Sequence, residues 1–181
     1  ADDAIAWYEN DGAANPSFSA ADIATSADGA ASVYVADMDN DGDMDIVSAS
    51  ENDDTIAWYE NDGAENPTFT AADIATSADG AASVYVADLD NDGDMDIVSA
   101  SMDDNTIAEY KNNLAALDAR SFTAADIATS AMFPQSVFAA DMDNDGDIDI
   151  LSASDVDDTI AWYENSGGSF WAASTIATSA D

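Results

Sequence analysis

Ser32-Val33-Tyr34-Val35-Ala36-Asp37-Met38-Asp39-Asn40-Asp41-Gly42-Asp43-Met44-Asp45-Ile46-Val47-Ser48-Ala49-Ser50 decides how the chain is read. Two short runs rich in β-branched and apolar residues flank a segment in which every second residue is Asp, the pattern of two strands joined by a tight acidic loop. The stretch returns at 83–101 and, altered, at 136–154, so the Asp-rich segment starts at Asp37, Asp88 and Asp141, spacings of 51 and then 53 residues. A second marker, Ile5-Ala6-Trp7-Tyr8-Glu9-Asn10, recurs at 56–61, as Ile107-Ala108-Glu109-Tyr110-Lys111-Asn112, and at 160–165. A third, Ala-Asp-Ile-Ala-Thr-Ser, starts at Ala21, Ala72 and Ala125, with a variant from Ser174. The two extra residues of the third interval lie between Lys111 and Phe122.

Each unit reads as four short strands, at 32–37, 45–50, 55–60 and 69–76 in the first full copy. The turns between them are Asn40-Asp41-Gly42-Asp43, Glu51-Asn52-Asp53-Asp54, and Asn61-Asp62-Gly63 followed by Pro67. The first two strands are apolar on both faces, which suits strands sandwiched between neighbouring sheets. No stretch combines a helical period with caps. A four-stranded unit of this length in tandem predicts an all-β β-propeller of four-stranded antiparallel blades, about three and a half in this chain. The boundaries expected are an N-terminal half-blade at 1–28, holding third and fourth strands only, and blades at 29–79, 80–132 and 133–181. A parallel β-helix needs far shorter repeats, and a sandwich does not need near-identical units.

Composition narrows the chemistry. The 181 residues carry 39 acidic side chains against 2 basic ones, a formal charge of -37, and all but six of the acids are Asp. Such a surface repels nucleic-acid phosphates and anionic membranes. No apolar run is long enough for insertion into a bilayer. With no Cys and no His there is no disulfide, thiolate nucleophile, zinc finger or imidazole base. An apolar fraction of 47% is that of a globular chain. The acidic start, Ala1-Asp2-Asp3, is unlike a signal peptide, and a mature form whose signal was removed is compatible with it. Excess Asp also suits saline surroundings, where self-repulsion is screened.

The Asp-rich loop is the strongest chemical signal. Its carboxylates fall at positions 1, 3, 5, 7 and 9, namely Asp37, Asp39, Asp41, Asp43 and Asp45, then Asp88, Asp90, Asp92, Asp94 and Asp96, then Asp141, Asp143, Asp145, Asp147 and Asp149. Gly at position 6 permits a sharp reversal. A hard cation such as Ca²⁺ takes six to eight oxygens, and alternate residues of a tight loop can supply them. Side-chain ligation is assigned to positions 1, 3, 5 and 9, and a backbone carbonyl to position 7, for three Ca²⁺ sites. The loop is no EF-hand, because position 12 is Ser48, Ser99 or Ser152 and strands flank it. The competing reading, a solvated acidic turn, leaves five mutually repelling carboxylates within nine residues.

Taken with the Thr-Ile-Ala-Trp-Tyr-Glu-Asn-Asp-Gly that follows, these residues resemble the FG-GAP/VCBS repeat of the integrin head propeller and of many secreted bacterial proteins. The resemblance covers nearly the whole chain. It implies Ca²⁺ in the loop joining the first two strands of each blade, a secreted or cell-surface location, and an adhesion or scaffold role. The integrin-type Phe-Gly…Gly-Ala-Pro frame is missing, so no integrin-like ligand carries over.

A non-enzymatic role is expected. Glycoside hydrolysis needs one singular pair of carboxylates, whereas these acids recur in every unit. The pairs Trp7-Tyr8, Trp58-Tyr59 and Trp162-Tyr163 are expected to pack, Trp between blades and Tyr with its hydroxyl at the rim. The alternative makes them sugar-stacking platforms of a lectin-like module, with a glycan or cell-surface protein as ligand. Lys111 and Arg120 are expected to pair locally with acids. An arc of three and a half blades leaves apolar faces uncovered, which predicts self-association as a ring or filament, or membership of a longer array.

Overall fold

The computed structural model describes residues 3–114, 121–167 and 171–179, and β-structure organises all three segments. The strands are β1 (Ile5–Asn10), β2 (Phe18–Ala24), β3 (Ala30–Ala36), β4 (Asp45–Ser50), β5 (Thr55–Asn61), β6 (Phe69–Ala75) and β7 (Ala81–Ala87). They continue as β8 (Asp96–Ser101), β9 (Thr106–Asn112), β10 (Phe122–Ala128), β11 (Pro134–Ala140), β12 (Asp149–Ser154), β13 (Thr159–Asn165) and β14 (Trp171–Ala177). Three four-stranded sheets, β3–β6, β7–β10 and β11–β14, each keep their strands in chain order, and β1 pairs with β2 in a two-stranded sheet. Every pairing is antiparallel, and its register repeats from sheet to sheet: Ile46 lies opposite Tyr59, Ile97 opposite Tyr110, Ile150 opposite Tyr163.

The sheets stack face to face, and the core lies between them. Ile5, Ala27, Ala57 and Tyr59, with Ile23 and Phe69, fill the layer between β1–β2 and β3–β6. Val47, Ile56, Trp58, Val84, Val86, Ile97 and Tyr110 fill the next layer. Val98, Ala100, Ile107, Val137, Ile150 and Tyr163 fill the last. Alternation along each strand sends one set of side chains to each layer, so the β7–β10 sheet is covered on both faces.

The first strands, β3, β7 and β11, lie side by side. Val84 N–H donates to Ser32 Oγ and Val137 N–H to Ser83 Oγ, each at 3.3 Å. The rings of Tyr34, Tyr85 and Phe138 form a row with centroids 4.7 Å apart at both steps.

Two faces at the ends of the stack differ from the sequence expectation of strands sandwiched on both sides. Val33 and Val35 on β3 are each 54% exposed, while their counterparts Val84 and Val86 on β7 are each 4% exposed. The reason is the two-stranded first sheet, which packs on Ile46, Ala57, Tyr59 and Phe69 of β4, β5 and β6 and, among the described residues, puts no strand over β3. At the other end Phe138, Met142 and Ala153 are exposed, although their counterparts in the preceding sheets, Tyr85, Leu89 and Ala100, are packed.

The tyrosines correct a second expectation. Of the three tyrosines expected at a rim, Tyr59 and Tyr163 are buried, as is Tyr110 of the altered copy, while Tyr8 is exposed; the Tyr163 hydroxyl shares a 3.3 Å hydrogen bond with Ser152 Oγ. Burial pushes the Tyr59 and Tyr110 hydroxyls above their ordinary pKa. Trp58 is 4% exposed and meets Phe122 edge-on at 6.3 Å, so its ring is covered rather than presented to a sugar. Lys111 pairs with Asp90 at 3.3 Å, and Arg120 lies outside the described residues.

Candidate metal centre

Each acidic loop joins the first strand of a four-stranded sheet to the second. Its reversal rests on two left-handed residues, Asn at position 4 (φ 60°, 59° and 64° at Asn40, Asn91 and Asn144) and Gly at position 6 (φ 98°, 95° and 98°). Asn tolerates that region better than most side chains, and Gly adopts it freely. Backbone N–H groups then turn toward the first carboxylate: Asp41 and Gly42 donate to Asp37 at 3.2 and 3.0 Å, and Asp92 and Gly93 to Asp88 at 3.1 Å.

The fold draws three carboxylates of each loop together. Asp37, Asp39 and Asp41 each bring an oxygen within 4.8 Å of the others, as do Asp88, Asp90 and Asp96, and Asp141, Asp143 and Asp145. Asp92 lies outside the second trio, whereas its counterparts Asp41 and Asp145 lie inside theirs. In the second loop the Lys111 ammonium also sits on Asp90, where the other full repeats carry Glu60 and Glu164.

Position 7 turns elsewhere. Asp94 accepts from Asn40 Nδ2 at 3.0 Å and Asp147 from Asn91 Nδ2 at 2.9 Å, so each loop is bonded to the next. Asp94 also accepts from Leu114 N–H at 3.2 Å. These side chains are committed away from the trios.

Position 9 has a structural duty. Asp45, Asp96 and Asp149 are buried, and each accepts two backbone N–H bonds. Met38 and Asn61 donate to Asp45 at 3.1 and 2.8 Å, Leu89 and Asn112 to Asp96 at 3.0 and 2.8 Å, and Met142 and Asn165 to Asp149 at 3.1 and 2.8 Å. The carboxylate thus ties the start of its loop to the end of the third strand.

The electrostatics follow from crowding. Burial pushes Asp96 up to about 7, against the pull of its two N–H donors, with Asp90 and Asp92 adding repulsion. Asp45 is raised by burial too, opposed by its N–H donors and by the Trp58 indole. At Asp92 the N–H of Asp94 pulls down, but desolvation and the charges of Asp90, Asp94 and Asp88 carry it upward. Desolvation and the charges of Asp145 and Asp149 raise Asp143. Carboxylates in this state gain from a cation placed among them. An all-oxygen, all-anionic donor set fits a hard divalent ion, not a thiolate- or imidazole-seeking metal.

One set of residues eluded the sequence reading. Asn112 Nδ2 donates to Met95 O at 3.2 Å within its own sheet and to Met38 O at 2.7 Å in the preceding one; Asn165 does the same with Ile148 O at 3.1 Å and Leu89 O at 2.8 Å. Both are fully buried. The signal was present, since Asn closes the Trp-Tyr-Glu-Asn marker at Asn10, Asn61 and Asn165 and its altered copy at Asn112.

Antiparallel four-stranded sheets in tandem, each with an acidic loop between its first two strands, define an all-β repeat protein. Comparison with family models matches the FG-GAP-like repeat at residues 1–48, 37–99 and 88–152, and the chain belongs to that family. Adjoining matches overlap at the acidic loop and the strand after it. A search of curated proteins found no match to the chain. FG-GAP-like repeats are typical of extracellular proteins. Among the described residues no helix is long and apolar enough to cross a membrane.

Proposed function

We propose that this chain is a non-enzymatic, calcium-stabilised extracellular β-propeller repeat protein with a structural, adhesion or scaffold role, self-assembling with further blades. The observation that carries the reading is the carboxylate trio repeated in phase with the sheets, three times, each loop bonded to the next through Asn40–Asp94 and Asn91–Asp147. Face-to-face stacking with the first strands side by side is the relation that blades have around a propeller axis. Here the blades are the units at 29–79, 80–132 and 133–181, preceded by the half-blade at 1–28.

In the first and third loops the carboxylates at positions 1, 3 and 5 offer side-chain oxygens, in the second those at positions 1, 3 and 9, and position 7 offers its carbonyl. Position 9, whose oxygens already accept N–H bonds, supplies charge beside the ion as well as a ligand atom. A bound Ca²⁺ neutralises the cluster and stiffens the loop. The covered Trp58 ring favours packing over a carbohydrate platform, so the lectin-like reading is the weaker one.

Calorimetry with and without a chelator tests the reading. With free Ca²⁺ about 100-fold above the site Kd, each ion adds about 2.7 kcal/mol, and three add roughly 8 kcal/mol. EDTA then lowers Tm steeply, and Asp145→Ala removes one site's share. A melt that is the same in millimolar Ca²⁺ and in EDTA refutes it.

A further inference from the structure

We propose that Lys111 is a built-in counter-ion of the second acidic loop, so that the three loops take up calcium unequally and the second fills last. The inference rests on the calcium reading given above and names the residue that ranks the sites.

The second loop departs from the others where Lys111 reaches it. At the next-to-last position of the third strand, β5 carries Glu60 and β13 carries Glu164, whereas β9 carries Lys111, which turns a negative charge into a positive one. The ammonium lies 3.3 Å from Asp90 Oδ2, and both side chains are mostly buried. The other oxygen of the same carboxylate, Asp90 Oδ1, is buried and makes no hydrogen bond. Asp90 belongs to the gathered trio of this loop, with Asp88 and Asp96. It is therefore the one carboxylate that the ammonium and an ion would share.

A divalent ion entering that trio meets a positive charge already seated on one of its ligands. The ammonium relieves part of the repulsion among the empty carboxylates, so binding has less to gain there, and the two cations repel each other. Glu109 gives the ammonium a second seat. It lies two residues before Lys111 and so on the same face of β9. It is 6% exposed, its Oε2 makes no hydrogen bond, and the Lys111 charge already favours its ionised form. The first and third full repeats hold Trp58 and Trp162 at that position, so they lack the acid as well as the lysine. In the second loop the ion thus enters by displacing Lys111 from Asp90 toward Glu109. In the other two it meets Asp39 and Asp143 beside a repeat whose matching residue is acidic.

The test reads each loop by itself. The intact chain, labelled with ¹⁵N-glycine, is titrated with calcium chloride at low ionic strength, where charge effects are least screened. The N–H signals of Gly42, Gly93 and Gly146 are followed, because each donates to the first carboxylate of its own loop. In the parent chain the Gly93 midpoint falls at about tenfold higher free Ca²⁺ than those of Gly42 and Gly146. Lys111→Met keeps an apolar stem and removes the charge, and it brings Gly93 to within about threefold of the other two. Lys111→Arg retains the charge and the parent order. Unmoved Gly42 and Gly146 midpoints in both variants show that the fold is kept. Three glycines that titrate together in the parent chain overturn the proposal. So does a Gly93 midpoint that Lys111→Met leaves in place. Either result leaves the calcium reading standing, whereas no shift at any of the three glycines in millimolar Ca²⁺ removes both.

Discussion

Asp96→Ala separates the structural duty of the acidic loop from its ion. The carboxylate is fully buried and accepts the N–H groups of Leu89 and Asn112 at 3.0 and 2.8 Å. Truncation leaves both donors without a partner in a space that Ala does not fill. A buried unsatisfied donor costs about 1–2 kcal/mol, so the pair costs about 3 kcal/mol. For a chain of this size each kcal/mol moves Tm by about 2–4 °C, which gives a fall of about 6–12 °C. The assay is thermal unfolding by circular dichroism in EDTA, where no ion contributes. Asp92→Ala is the control, because Asp92 is exposed and lies outside the gathered trio. It should melt within about 2 °C of the parent in EDTA. An Asp96→Ala melt as close to the parent as that control would show that the two backbone bonds do not hold the loop to the third strand.

Trp58→Ala opens a cavity between the first two four-stranded sheets and should cost about 3–5 kcal/mol by chemical denaturation, with little change expected if the ring served only an external ligand. Glu109 is 6% exposed at the position of Trp58 and Trp162, and burial pushes its carboxyl above the ordinary value despite the opposing Lys111 and the Trp171 indole. A carboxyl raised on folding gives most stability below its unfolded pKa and loses it as pH rises through the folded value. Glu109→Gln should therefore gain stability at pH 7 and not near pH 4, read from paired urea melts; an equal gain at both pH values would argue against a charge effect.

The strand plan was legible because the repeat states it several times. The expected strands at 45–50, 55–60 and 69–76 match β4, β5 and β6 to within a residue, and the loops fall at the expected Asp-Asn-Asp-Gly segments. Period-2 apolarity and turn residues are local signals, so one sequence carries them. Direction relative to a neighbouring sheet is not local. The burial of Tyr59 depends on the sheet before it, and the exposure of Val33 on strands that are not beside it. The candidate site was half legible. The carboxylate spacing announces the trios, but five alternate Asp residues look equivalent in a string. Folding separates them: the ninth accepts two backbone bonds, and the seventh reaches the next loop. The cross-sheet Asn112 and Asn165 bonds span 74 and 76 residues, a range at which no local pattern speaks.

The β7–β10 sheet, enclosed on both faces, has a consequence for how the molecule comes apart. Each sheet touches only its neighbours, so stability behaves as a one-dimensional chain of unit and interface contributions. The enclosed unit enjoys two interfaces and the last sheet one. Unfolding should then begin at the termini and move inward, with β8 the slowest region to exchange. Duplicating the internal unit would add an interface of a kind already present, a nearly constant increment for each copy until the arc of blades closes on itself.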